Sequence, residues 1–164
     1  AEEAVLERLR GLGAAPRLLS FLEAAAPGGA NALLGGLRRL ASETRPRGVV
    51  VLVSDLMDRD GVDDALSALA RNTGDLHAVQ VLDPFGLDPS LDGEYRLLDS
   101  EDGSRAEVSA TPEVLAAYRR RLDAYLAAVD GACRRRGIRR MQASTALPFE
   151  RMVLEVLRTR GLLR

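Results

Sequence analysis

Five consecutive apolar residues, Val49-Val50-Val51-Leu52-Val53, run directly into Ser54-Asp55. Apolar residues without alternation predict a parallel strand buried on both faces. A second strand is predicted from Leu76 to Leu82, closed by Asp83-Pro84, and a third from Ile138 to Ala143, followed by Ser144-Thr145. Between the first two strands, Asp60-Gly61 breaks the chain, and Val62 to Ala70 sets Val62, Leu66 and Leu69 on one helical face. Strand–helix units in tandem predict an α/β fold with a parallel sheet and helices on both faces.

Three short helices are predicted ahead of the first strand, over residues 2–10, 16–26 and 32–42, separated by Gly11, Gly13 and Pro27-Gly28-Gly29. Residues 84–110 change character. Asp88-Pro89, Asp92-Gly93 and Asp102-Gly103 are turn dipeptides, and Glu94–Leu98 with Arg105–Ser109 predict a small acidic β-hairpin insertion. A long helix follows with Thr111 as N-cap, Pro112 at its first position and Glu113 at the positive end of the dipole. Leu115, Tyr118, Leu122, Tyr125 and Val129 form its apolar stripe, Arg134-Arg135-Arg136 its last turn and Gly137 its stop. Pro148 opens a final helix.

Composition narrows the chemistry. All 23 basic residues among the 164 are arginine, so a P-loop or a lysine Schiff base is excluded. One His and one Cys cannot build an ordinary zinc site, and a single Cys forms no internal disulfide, which suits a reducing, cytoplasmic compartment. No apolar run reaches the roughly 18 residues of a membrane span. The net charge of −1 hides an asymmetry: residues 55–102 hold 13 acids against 3 arginines, and residues 115–164 hold 12 arginines against 4 acids. Such a split can orient a protein towards a partner. The chain starts at Ala rather than Met, which suggests a piece of a longer protein.

Four groups are candidates for function. Asp55, with Asp58 and Asp60, follows the first strand, where α/β sheets bind ligands, and could hold a divalent cation or serve a metal-dependent hydrolase or phosphatase. The plain alternative is a capped turn with solvated acids. The runs Arg119–Arg121, Arg134–Arg136 and Arg139-Arg140 could bind a protein partner or phosphates, although no aromatic platform interleaves them and nucleic acid is not the expected partner. His77 and Cys133 lack any flanking catalytic motif and read as packing residues. Ser144-Thr145 lacks a nucleophile-elbow motif.

The segment from Val49 through Ser54-Asp55-Leu56-Met57-Asp58 resembles the hallmark of the bacterial domain of unknown function 58 family, whose members carry a von Willebrand factor A-like domain. In the same order follow His77–Pro84, the acidic stretch Asp99–Gly103, Ser144-Thr145 and Leu154–Gly161, so the resemblance spans about residues 14–164. It implies a doubly wound, mainly parallel, Rossmann-like α/β fold, with residues 1–164 as a single domain that is the C-terminal portion of such a fold. Complete domains of this type bind a divalent metal through three loops. The first loop has no counterpart here, Ala30 stands where the second usually has threonine, and only Asp55 matches the third. The resemblance therefore implies a degenerate metal position at Asp55 and no cofactor.

It further implies a non-catalytic interaction module whose partner is a MoxR-type AAA+ ATPase or its client, with Arg134, Arg135 and Arg136 as candidate docking residues. An anchor upstream of this region is expected in full-length members. The wholly apolar strand 49–53 lacks the neighbour that a complete domain would supply, which predicts that its edge is covered, by a second copy pairing antiparallel or, alternatively, by the N-terminal helices.

Overall fold

The computed structural model describes residues 6, 9–25, 35–37, 49–57, 62–72, 74–99 and 103–152. The chain divides into two units, Ala1–Asn31 with Leu97–Ala106, and Ala32–Arg96 with Glu107–Arg164.

In the first unit, a 3-10 turn over Leu12–Ala14 leads into helix α1, Ala15–Ala24. Gly11 starts the turn at φ 75°, and its carbonyl accepts from the Ala14 amide. Pro16 lies in the first turn of α1, where a missing amide hydrogen costs nothing. None of the residues of α1 is buried. The hairpin tip also belongs here, closed by reciprocal Asp99–Ser104 and Gly103–Asp99 backbone bonds with Gly103 at φ 72°.

The second unit holds the sheet. Strands β1 (Val49–Ser54), β2 (Asp75–Leu82) and β5 (Arg139–Ser144) lie in the order β1-β2-β5. Both pairings are parallel, with Val51 beside His77 and His77 beside Arg139. Helix α2 (Val62–Asn72) joins β1 to β2. The path from β2 to β5 runs through a helical turn α3 (Pro84–Leu87), the hairpin strands β3 (Gly93–Leu98) and β4 (Arg105–Ala110), and the long helix α4 (Pro112–Arg135). The hairpin is a two-stranded sheet of its own, and α5 (Phe149–Arg151) follows β5. No helix among the described residues is long and apolar enough to cross a membrane.

Alternation along the strands divides the core in two. Val50, Leu52, Leu76 and Ala78 face the helices and pack with Leu56, Leu66, Leu69, Val129, Cys133 and Ile138. The opposite face carries a smaller cluster, Val79, Met141 and Ala143, with Met152 just beyond α5 packed against it. Helices thus lie on both faces, with α2 and α4 together on one.

The expectation that β1 is buried on both faces is corrected. Its residues alternate between exposed and half-buried, with Val49, Val51 and Val53 outward. The reason is position: β1 is the edge strand, and among the described residues α2 and α4 cover only its other face. An all-apolar run specifies a strand without specifying how many of its sides are covered.

Helix α4 ends as its sequence predicts. The Thr111 side chain accepts from the Val114 amide. At the far end Gly137 takes φ 68°, its amide bonds to the Arg134 carbonyl, and the Ile138 amide bonds to the Cys133 carbonyl. This pair of bonds is a Schellman stop, sealed by Ile138 and Cys133 in the same core cluster. Residues 35–37 are helical, within the helix predicted over 32–42, whereas Leu6, Leu9 and Arg10 of the helix predicted over 2–10 are not helical; the rest of both predictions and most of the final helix lie outside the described residues.

Candidate functional site at the carboxyl end of the sheet

The loop after β1 begins with local chemistry. Ser54 Oγ accepts from the Leu56 amide at 3.0 Å, and Asp55 Oδ1 accepts from the Met57 amide at 2.9 Å. These short side-chain turns draw the chain sharply off the strand. Leu56 takes φ 59°, a left-handed conformation that a leucine adopts only at a cost of about 1–2 kcal/mol. Its side chain is fully buried in the helix-side core, so the turn drives an apolar anchor inward while Asp55 and Met57 stay exposed.

Two distant side chains hold this loop. Gln80, in the middle of β2 and fully buried, donates from Nε2 to the Asp55 carbonyl at 2.8 Å. Tyr125, on α4, donates its hydroxyl to the Leu56 carbonyl. Gln80 is itself held: its Oε1 accepts from Arg140 Nε at 3.0 Å and Nη2 at 2.6 Å. Arg140 then reaches Asp130 on α4, Nη1 to Oδ1 at 3.4 Å. A polar chain therefore runs from α4 through β5 and β2 to the Asp55 carbonyl. Charge-assisted bonds of this kind are the stronger ones, and inside a core they are satisfied only with the correct geometry.

The same helix holds the exit of β2. Tyr118, seven residues before Tyr125, donates its hydroxyl to the Gly86 carbonyl at 2.6 Å. Arg119 Nη2 meets Asp88 Oδ1 at 2.6 Å. After β5, Thr145 Oγ1 donates to Asp83 Oδ1 at 3.2 Å, and Ser144 Oγ accepts from the Ala146 amide. Met57, Phe85, Val114 and Tyr118 remain exposed apolar groups on these segments.

Among the described residues, no ligand set gathers around Asp55. One Asp55 oxygen is committed to the Met57 amide, and Asp83 accepts from Thr145. Among the described residues no three His, Cys, Asp or Glu side chains come together as metal ligands. Asp58, Asp60 and Ala30 lie outside the described residues.

The arginine runs are largely engaged within the chain. Arg136 is mostly buried and binds Asp63 and Ser67 on α2 as well as the Ala132 carbonyl. Arg135 Nη2 reaches the same Asp63 at 3.1 Å, and Arg134 pairs with Asp130 at 2.8 Å. The guanidinium of Arg136, and then that of Arg135, holds the Asp63 carboxyl below the usual carboxylate range. Glu113, at the start of α4, is likewise lowered, by its own backbone amide and then the Thr111 hydroxyl.

His77 and Cys133 are both buried but on opposite sides of the sheet. His77 Nε2 lies 3.2 Å from Asp75 Oδ1 and 3.4 Å from Arg139 Nη1, while its Nδ1 has no partner among the described residues. Burial pushes the Cys133 thiol up from its ordinary value. The sheet between them rules out a Cys–His pair.

Sequence reasoning placed Asp55 correctly at the strand end but missed Gln80, Arg140, Tyr118 and Tyr125. One signal was available: two tyrosines seven residues apart in an otherwise aliphatic stripe bring hydroxyls that need partners.

No characterised protein and no solved structure matches the chain. One family does, described as a protein of unknown function, DUF58, over residues 5–127. The match takes in β1, the loop at Asp55, β2, the hairpin and most of α4, and the chain therefore belongs to the DUF58 family.

Proposed function

We propose that this chain is a non-catalytic protein-interaction module with a von Willebrand factor A-like fold, working with a MoxR-type AAA+ ATPase or its client. The observation that supports this reading is the loop Asp55–Met57. It is exposed at Asp55 and Met57, yet its backbone is tied by side chains from β2 and α4. A preorganised exposed loop loses little entropy on docking, and Phe85 on α3 with Val114 and Tyr118 on α4 are further exposed apolar groups.

The test is calorimetric titration of the purified protein with a MoxR-type AAA+ ATPase from the same genome. Binding that Met57→Asp and Phe85→Asp each weaken at least about tenfold supports the reading, since burying an unpaired charge in an apolar contact costs more than about 1.4 kcal/mol. No binding at about 100 μM, or binding indifferent to both variants, overturns it.

A further inference from the structure

Helix α4 is 24 residues long, about 36 Å, and its buried residues, Val129, Ala132 and Cys133, all lie in the last two turns. It passes the end of β1 at Tyr125, whose hydroxyl meets the Leu56 carbonyl, and residues 112–124 run on from there without a buried side chain. On this free half, Val114, Ala117, Tyr118 and Arg121 share one face at the i, i+3, i+4, i+7 spacing. Val114 and Tyr118 are exposed at 42% and 40%. Arg119 is paired with Asp88, whereas Arg121 is exposed and has no ion-pair partner among the described residues. The Tyr118 hydroxyl on Gly86 and the Arg119 guanidinium on Asp88 pin α3 against this half of α4 at two points. Phe85, next to Gly86 in that pinned turn, is 54% exposed.

We propose that Phe85, Val114, Ala117, Tyr118 and Arg121 form a docking surface for an acidic amphipathic helix of a partner protein. The inference deepens the adaptor reading and rests on it in taking this end of the molecule as the docking end. It does not depend on which protein supplies the helix.

The chemistry of the occupant follows from these residues. A helical backbone makes its hydrogen bonds internally, so the surface offers no strand edge and an extended peptide gains no main-chain pairing here. A second helix does fit. Side chains in one-turn rows are what helices pack against, and the small Ala117 within the stripe permits close approach. Phe85, Val114 and Tyr118 call for leucine-like side chains at one-turn spacing on the partner. Charge sets the rest. Arg121 ends the stripe with an unpaired guanidinium, Arg120 adds a second exposed arginine on the adjacent side, and the acids Glu113 and Asp123 lie off the stripe. Glutamate or aspartate flanking the apolar seam is therefore attracted, and lysine or arginine is repelled. Aromatic side chains and arginine are the types that carry most binding energy in interfaces. The contacts to Gly86 and Asp88 fix the aromatic pair before a partner arrives, which lowers the ordering cost of docking.

The test is fluorescence anisotropy with two labelled, side-chain-stapled helical peptides of about 15 residues. One carries leucines at one-turn spacing flanked by glutamates, and the other has lysine in place of every glutamate. The acidic peptide is expected to bind with a Kd of about 100 μM or tighter, and the basic one at least about tenfold more weakly. Arg121→Glu is expected to weaken the acidic peptide at least about tenfold and to favour the basic one. Val114→Asp is expected to weaken both peptides. Arg105→Glu, at an exposed arginine on β4, controls for overall charge and is expected to leave binding unchanged. All three positions are exposed, so the variants keep the fold. Peptide binding without ATPase binding would uphold this surface and remove the ATPase from the adaptor reading. ATPase binding that Met57→Asp weakens, with the acidic peptide weaker than about 100 μM, would keep the adaptor reading and overturn this inference. Equal affinity for the two peptides, an acidic peptide indifferent to Arg121→Glu, or an equal loss in Arg105→Glu also overturns it.

Discussion

Replacing Gln80 by methionine keeps the side-chain length and removes the side-chain hydrogen bonds of Gln80 while leaving its strand backbone bonds in place. In the folded protein its Oε1 receives two bonds from Arg140 and its Nε2 supplies one to the Asp55 carbonyl. Losing the charged contact costs about 1.5–3 kcal/mol, and losing the neutral one about 1 kcal/mol. Relaxation of Arg140 towards Asp130 recovers part of this, so the expected loss is about 2–3 kcal/mol. For a chain of this size that lowers Tm by roughly 4–12 °C. The distinguishing result is a cycle with Arg140→Met. If the relay is a unit, the double variant is less destabilised than the sum of the singles by at least about 0.5 kcal/mol, because neither polar group is left buried without the other. Chemical denaturation supplies the four free energies. Amide exchange supplies the local reading: the Leu56 and Met57 amides should exchange faster in Gln80→Met than global stability explains. A loss below about 0.5 kcal/mol, or strict additivity in the cycle, would refute the relay.

Three further outcomes are expected. Asp63, lowered by Arg136 and Arg135, stabilises the fold above its unfolded pKa, and that contribution disappears as pH falls through its depressed folded value; Asp63→Asn should therefore shrink the difference in Tm between pH 7 and acid, and an unchanged difference would refute the pairing. Gly137→Ala meets no neighbouring atom within 4 Å but must hold φ 68°, so denaturation should show a loss of about 1–2 kcal/mol, and a neutral result would mean the stop of α4 is not left-handed. Cys133, buried with its thiol pushed up, should resist a thiol reagent in the native protein at pH 8 and react at once in denaturant; rapid native labelling would contradict its burial.

The parallel strands were legible because a chain has few uses for Val49–Val53 and Leu76–Leu82 other than a sheet buried at least on one side. The ends of α4 were legible because Thr111 and Gly137 act through local backbone geometry, which sequence records directly. Coverage of β1 was not, since exposure depends on which other elements reach that face. The left-handed Leu56 was hidden for a different reason: the residue type argues against the conformation, and the groups that impose it are 24 and 69 positions away at Gln80 and Tyr125. The run Arg134–Arg136 was ambiguous because helix dipole, ion pairing and docking all ask for positive charge in the same place. The structure gives these arginines partners in Asp130 and Asp63.

The loop at Asp55 is best understood through α4, which lies against the exits of both β1 and β2. Tyr125 holds Leu56, Tyr118 and Arg119 hold residues 86–88, and Asp130 closes the chain to Gln80 through Arg140. The left-handed turn costs about 1–2 kcal/mol. Burying the Leu56 side chain returns about 1.5–3 kcal/mol, so the turn persists only while α4 and α2 close the pocket that receives it. Glycine at position 56 would remove the backbone cost and forfeit the larger burial term. The choice of leucine therefore couples the shape of the exposed loop to the packing of the helices behind it. A partner that shifts α4 by even a fraction of a turn would break the Tyr125 bond and uncover Leu56 together, because both depend on the same contact surface. The loop is thus shaped by the long helix rather than by its own three residues. That dependence explains why a side chain in the middle of the sheet, Gln80, is polar in a position where a core would otherwise take valine or leucine.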